Sequence, residues 1–115
     1  MKAGKALKVS IYLSEGFKQH GAASGAGILD FLFFHGVSGA TVLKGVAGFG
    51  PDHRLHSASL VELSDHLPVK VEFIETHEKV DELMGKLMEL AGTGMIEVQE
   101  TMIVKPATTK DAAAK

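Results

Sequence analysis

The sequence of 115 residues predicts an α+β sandwich, in which a four-stranded antiparallel sheet carries two helices on one face. Three observations point there. Segments near both ends and in the middle alternate apolar and polar residues with a period of two, the mark of a half-buried strand. Two other segments place apolar residues at helical spacing. The resulting order is strand, helix, strand, strand, helix, strand, in which one split β–α–β unit closes on another.

Leu7, Val9, Ile11 and Leu13 alternate with Lys8, Ser10 and Tyr12 and define the first strand. A polar turn from Ser14 to Gly21 follows. Ile28, Leu29, Leu32 and Phe33 share a helical face, which predicts a first helix from about Ala22 to His35 with Gly36 as its stop. Gly25 and Gly27 weaken its first turns, each by about 1 kcal/mol relative to Ala. Ala40 to Ala47 reads as the second strand, and Leu67 to Glu75 as the third with Val69, Val71 and Phe73 facing inward. The stretch from Gly48 to His66 between them far exceeds the about 2–5 residues of a usual hairpin loop. In this reading Ser59 to Leu63 extends a strand, and the middle is a large polar loop of the kind that commonly carries function. Thr76 is the expected N-cap of the second helix, and Glu78, Asp81 and Glu82 suit its positive start. Val80, Leu83, Met84, Leu87, Leu90 and Ala91 form its apolar stripe, and Gly92 ends it. Ile96, Val98, Met102 and Val104 alternate as the fourth strand.

This order predicts a ferredoxin-like βαββαβ domain over residues 1–105, with Pro106 to Lys115 as a flexible C-terminal tail. The sheet face turned away from the helices would carry Tyr12, Leu43 (or Val42, depending on register), Ile74 and Ile103. Burying a large apolar side chain is worth about 1.5–3 kcal/mol. A second copy of the chain is the economical cover for that face, so an oligomer is expected. Met84, Met88, Met95 and Met102 are read as core filling, and His20, His35 and His77 as helix-end or surface residues.

Composition narrows the function classes. The chain is 45% hydrophobic and 23% charged, ordinary globular values. A net charge of −2 and a pI near 6.3 lack the basic excess of a nucleic-acid-binding protein. Without cysteine there is no disulfide, thiolate metal site or cysteine nucleophile, and a cytoplasmic protein is the simplest expectation. The basic start has no signal-peptide core behind it. The longest apolar stretch, Ile28 to Phe34, is interrupted by Asp30 and is far shorter than the ~20 residues of a membrane span. Neither a Gly-x-Ser-x-Gly elbow nor a Walker lysine motif occurs, so a binding protein is expected in preference to an enzyme.

The densest chemistry lies between Gly36 and Arg54, which holds five of the thirteen glycines and ends on the single arginine of the chain. Glycine permits positive φ and close approach of the backbone to a partner. Arginine offers a rigid, permanently charged fork suited to phosphate or carboxylate. With Lys44, His53 and His56 nearby, the segment reads as a loop built to meet an anion. Gly48-Phe49-Gly50 taken alone reads more readily as a turn or bulge leaving a strand than as a ligand loop. His53 and His56 form a His-x-x-His pair that, with His66 and Asp52 as extra ligands, gives an alternative metal-binding reading; zinc sites usually use at least three protein ligands.

Several ordered pieces are similar to a known family. Gly36-Val-Ser-Gly-Ala-Thr-Val42 followed by Gly48-Phe-Gly50 resembles the PII signal-transduction proteins, in which such a run opens the regulatory T-loop. Asp65-His-Leu-Pro68 resembles the start of their strand after that loop, and Gly92-Thr-Gly-Met-Ile-Glu-Val98 their glycine-rich B-loop. Gly39-Ala-Thr-Val-Leu-Lys-Gly45, Arg54-Leu-His-Ser57, Leu63-Ser-Asp-His-Leu-Pro68 and Lys79-Val80 resemble most closely a PII-like branch, domain-of-unknown-function family 190. The likeness runs from about Leu7 to Val104. It implies a trimer with inward-facing sheets, adenine nucleotides bound between subunits, and a T-loop that docks on a transporter, channel or enzyme. By position it implies ligand contacts from Gly48, Phe49 and Gly50 and from Gly92, Thr93 and Gly94, with His53 and Arg54 within reach of phosphate. Met95 stands where PII proteins carry a B-loop lysine, and Pro51-Asp52 where they carry Arg-Gln. A nucleotide with fewer phosphates, or a cyclic one, is therefore expected in place of Mg-ATP with 2-oxoglutarate. Acylphosphatases share the topology but need an arginine in the loop after the first strand, where Lys18 is the only cation here; a small hydrolase is the remaining alternative.

Overall fold

A computed structural model describes residues 1–14, 24–51, 53, 55–57 and 67–109. Its elements are β1 (Gly4–Ser14), α1 (Gly25–Phe34), β2 (Ala40–Lys44), β3 (Ala47–Gly48), β4 (His56–Ser57), β5 (Pro68–Glu75), α2 (His77–Ala91) and β6 (Met95–Ile103). The main sheet has the order β2-β5-β1-β6 with every ladder antiparallel, and β3 pairs with β4 in a separate two-stranded ladder. This is the expected ferredoxin-like sandwich.

One core holds it together. Leu7, Val9 and Ile11 of β1 and Val71 and Phe73 of β5 meet Ile28 and Leu32 of α1 and Val80, Leu83, Leu87 and Ala91 of α2. The faces of β1 and β5 and the stripe of α2 are buried as their spacing marked. On α1, Ile28 and Leu32 are buried, but the expected Phe33 is 76% exposed and Phe31 packs against the core in its place. Val98 and Val104 of the expected last strand stay exposed. Of the four methionines assigned to the core only Met84 packs against it; Met88, Met95 and Met102 are exposed, Met95 on the sheet face turned away from the helices. Among the described residues no helix is long and apolar enough to cross a membrane.

Helix ends follow local chemistry. Ser24 caps α1 by accepting from the Gly27 amide, and Thr76 caps α2 by accepting from the Lys79 amide. After α1, the Gly36 amide donates to the Phe33 carbonyl and the Val37 amide to the Leu32 carbonyl, with Gly36 at φ 78°. These paired bonds are a Schellman stop, which favours glycine at the left-handed position. The helix is shorter at its start than the sequence suggests, and the expected residues 22–23 lie outside the described part.

The second strand differs from expectation. It ends at Lys44 in place of Ala47, and the chain leaves the sheet at Gly45 before β3 begins. The cause is Pro68, the first residue of β5. Its carbonyl accepts from the Gly45 amide at 2.7 Å, and its ring lies 2.8 and 2.9 Å from where a Cβ on Gly45 or Gly48 would sit. Both positions accommodate the ring only as glycine.

Register decides the open sheet face. Val42 pairs with Val71 on the core side, so Leu43, paired with Lys70, is the outward residue. Cross-strand rows on that face read Leu43–Lys70–Tyr12–Met95, then Thr41–Glu72–Ser10–Glu97, then Ile74–Lys8–Gln99. Tyr12, Leu43, Ile74 and Ile103 do share the face, but its middle is polar. Lys70 pairs with Glu72 at 3.1 Å, and the Tyr12 hydroxyl donates to Glu97 at 3.0 Å. The expected apolar sheet face is a mixed one.

Candidate functional site

β2 ends at the exposed Lys44, and the chain turns at Gly45 to form the root of an arm. Ala47 pairs with Ser57 and Gly48 with His56, so β3 and β4 form a short ladder apart from the main sheet. At its tip the His53 amide donates to the Gly50 carbonyl at 2.9 Å, a four-residue turn with Pro51 in its favoured second position. His53 is left at φ 56°, uncommon for a non-glycine residue. That conformation lays its ring along Phe49, with centroids 5.6 Å apart and planes 30° from parallel. Phe49 is 62% exposed, and Val46 and Leu55 are more so. A Cβ on Gly50 would meet nothing within 4 Å, leaving its backbone open to a ligand. The arm is therefore ordered at its root and apolar as well as polar, where the sequence suggests a polar loop. Asp52, Arg54, His66 and the proposed strand extension over 59–63 lie outside the described residues.

Gly92, Thr93 and Gly94 form the turn between α2 and β6. Gly92 caps α2 at φ 57°, and its amide donates to the Glu89 carbonyl. Gly94 is wedged against the end of β1. A Cβ there would lie 2.5 Å from the Tyr12 carbonyl oxygen and 2.8 Å from the Leu13 side chain. Met95 then opens β6 opposite Tyr12, on the open face.

The two groups share one end of the sheet but not one edge. The arm hangs from β2 and the glycine turn from β6, the two outer strands. Three inter-strand spacings, about 14 Å, separate those edges, with β5 and β1 in between. The chain brings Phe49 to His53 and gathers Gly92, Thr93 and Gly94, but it does not bring the arm to the turn. A shallow groove lined by Lys5, Ala6, Leu7, Thr76, His77, Glu78 and Glu100 lies at the other end and holds none of the predicted site residues. No cluster of three or more metal-ligating side chains occurs among the described residues. Of the expected metal ligands, His53 alone is described through its side chain. The sequence missed the exposed Val46 and Leu55 and the fit of Pro68 against Gly45 and Gly48. A proline opening a strand with glycines at its neighbour's end was the available signal.

Comparison with known proteins supports the same architecture. The family model DUF190 (Uncharacterized ACR) matches residues 6–103. A UPF0166 protein of Methanocaldococcus jannaschii is 33% identical over 105 residues, covering 90% of this chain and 96% of its own. A UPF0166 protein of Aquifex aeolicus is 28% identical over 108 residues, covering 90% and 98%. Among solved structures, CPII, a nitrogen regulatory PII-like protein from Thiomonas intermedia K12, bound to ADP, AMP and bicarbonate, matches with a TM-score of 0.61 at 19% identity, over 92% of this chain and 100% of that one. Its form bound to ADP, AMP and acetate matches at 0.63 and 19% identity, over 92% and 95%. Likeness at this identity speaks for the fold.

Proposed function

The chain belongs to the DUF190 (UPF0166) family, and from that premise we propose that it is a PII-like regulatory protein that binds an adenine nucleotide between subunits of a homotrimer. The observation that carries the reading is the placement of two glycine-rich segments at one end of the sheet on opposite edges. Neither could enclose a nucleotide alone, while two copies would supply one of each. The structurally similar CPII binds ADP and AMP, which supports the same ligand class here. Phe49 and the open backbone at Gly50 would contact the ligand from the arm, together with Gly48, Lys44, His53 and Arg54. Gly92, Thr93 and Gly94 would contact it from the neighbour's turn, where backbone amides suit an anion.

Met95 and Pro51-Asp52 leave fewer polar groups for a triphosphate with its metal ion, so AMP, ADP or a cyclic nucleotide is preferred. The protein acts without catalysing a reaction. Ligand contacts shift the arm between partner-competent and incompetent states, a population shift that controls a cytoplasmic face of a transporter or channel. A thermal-shift panel of AMP, ADP, ATP, cyclic AMP and cyclic dinucleotides tests this. A ligand at about one hundred times its dissociation constant stabilises by ~2.7 kcal/mol. The reading expects such a shift with at least one adenine nucleotide, weakened in Arg54→Ala. No shift with any of them would remove it.

A further inference from the structure

The solvent side of α1 carries an aromatic pair that the core does not use. Ile28 and Leu32 fill the inward face of the helix, and Phe31 packs against the core beside them. Phe33 and Phe34 are both more than three-quarters exposed, with their rings edge to face and centroids 5.3 Å apart. Single exposed apolar residues are ordinary, whereas adjoining aromatic rings in water mark a surface that meets a partner. Asp30 precedes the rings by three and four positions, which puts it on the same helical face, and it too is exposed. The pair sits far from the arm. Ser38, just beyond α1, binds Glu75 at the end of β5, while the root of the arm abuts Pro68 at the beginning of that strand.

Charge around the pair decides what kind of partner fits. The two helices hold five carboxylates, Asp30, Glu78, Asp81, Glu82 and Glu89, against two lysines, a formal −3 where the whole chain carries −2. Both lysines are engaged, Lys79 with Glu82 at 3.2 Å and Lys86 with Glu89 at 3.5 Å. Asp30, Glu78 and Asp81 have no lysine partner among the described residues. The Lys79 ammonium lies 3.7 Å from where a Cβ on Gly36 would sit, so its pair with Glu82 borders the end of α1 that bears the rings. The last turn of α1 holds no basic residue, and the negative end of its dipole adds to the field there. An anionic lipid surface, or the same face of a second copy, would meet like charge. A cationic partner meets its complement.

We propose that the outer face of α1, with the acidic start of α2 as its rim, docks a basic amphipathic helix of a partner protein. The apolar stripe of that helix covers Phe33 and Phe34, and Lys or Arg residues flanking the stripe reach Asp30 and the α2 carboxylates. Aromatic anchors inside a polar rim are the usual anatomy of a protein interface. Cationic side chains gain further from the faces of the two rings. This surface belongs to the helical layer and lies at the opposite end of the sheet from the arm, so it stands or falls apart from the nucleotide reading.

The chain has no tryptophan, so a tryptophan in a peptide reports on binding without background. The probe is a Leu/Lys amphipathic peptide of about 15 residues, near the length at which helices hold in water, with one Trp in its apolar stripe. Titrating it with the full-length protein should shift its emission to the blue and raise its anisotropy. Phe33→Ser/Phe34→Ser should weaken that binding about tenfold or more with an unchanged circular dichroism spectrum. Asp30→Lys should weaken it too, as should added salt. If the double variant unfolds, Asp30→Lys carries the test with the rings in place. The same peptide with Glu for Lys, and a scrambled Leu/Lys peptide of equal composition, should bind far more weakly. No binding, equal binding of either control, or binding that neither variant weakens would overturn the proposal. Cosedimentation with phosphatidylglycerol vesicles that depends on the two rings would give the patch to a membrane and overturn it as well. So would a light-scattering mass that falls in the double variant, which would give the patch to a second copy. Nucleotide thermal shifts read the other site, and their failure leaves this surface standing.

Discussion

Glu75 and Ser10 are the polar side chains buried among the described residues, and Glu75 shows why such a group is kept. Its carboxylate accepts from the Ser38 amide and hydroxyl, both at 2.8 Å, and from the Thr76 amide at 3.1 Å. It thus ties the connection after α1 to the start of α2. Glu75→Ala removes the acceptor for three donors and should destabilise by about 2 kcal/mol in urea unfolding, with Glu75→Gln milder. An unchanged midpoint for Glu75→Ala would show that water replaces the carboxylate at no cost. Lys70 makes a different point. The hydrogen bond that Lys70 donates to Glu72 and that residue's negative charge, then Tyr12 and Glu97, raise the lysine pKa above its ordinary 10.5, against a desolvation that lowers it. A folded-state value above the unfolded one favours folding while the ammonium stays charged. That contribution is complete below the unfolded pKa and fades as pH rises through the folded one, so it belongs to the alkaline range. Glu72→Gln should return the Lys70 titration, followed by NMR at Nζ, toward its ordinary value. Neither pairing was legible in the sequence, because both join residues whose proximity depends on backbone geometry beyond local spacing.

Among the elements, α2 was the most legible, since its cap, stripe and stop are all encoded within the helix and its flanks. It also carries an exposed interior glycine with room to spare. A Cβ at Gly85 would meet nothing within 4 Å. Glycine costs about 1 kcal/mol relative to alanine inside a helix, so Gly85→Ala should raise the Tm by roughly 4–8 °C. A fall in Tm would mean that something else occupies that space in solution. Gly94 predicts the opposite. Its Cβ would press on the Tyr12 backbone oxygen, which cannot swing aside as a side chain can. Gly94→Ala should destabilise by about 1–3 kcal/mol, the range for overpacked sites, and circular dichroism melts compare the two variants directly. The end of β2 was not legible. What turns the chain there is Pro68, remote in sequence and adjacent only once β2 pairs with β5.

For the whole molecule, a single chain presents half of the proposed ligand site at each edge. If the trimer is the folded unit, subunit association adds to stability by mass action. The apparent Tm should then rise with protein concentration, and scanning calorimetry over a dilution series reads this directly. A Tm independent of concentration would identify the monomer as the folding unit. The open face is polar in its middle and apolar at Leu43 and Met95.

By itself the sequence determined the element order, the inward faces of β1, β5 and α2, and the caps at Thr76, Gly36 and Gly92. These are short-range properties, set by side-chain periodicity and by backbone groups that each helix end must satisfy. Only the tertiary structure decided that Leu43 faces outward, that β2 stops at Lys44, and that the arm and the glycine turn occupy opposite edges. Those features follow from which strands pair and in what register, and pairing joins residues whose spacing along the chain carries no trace of it.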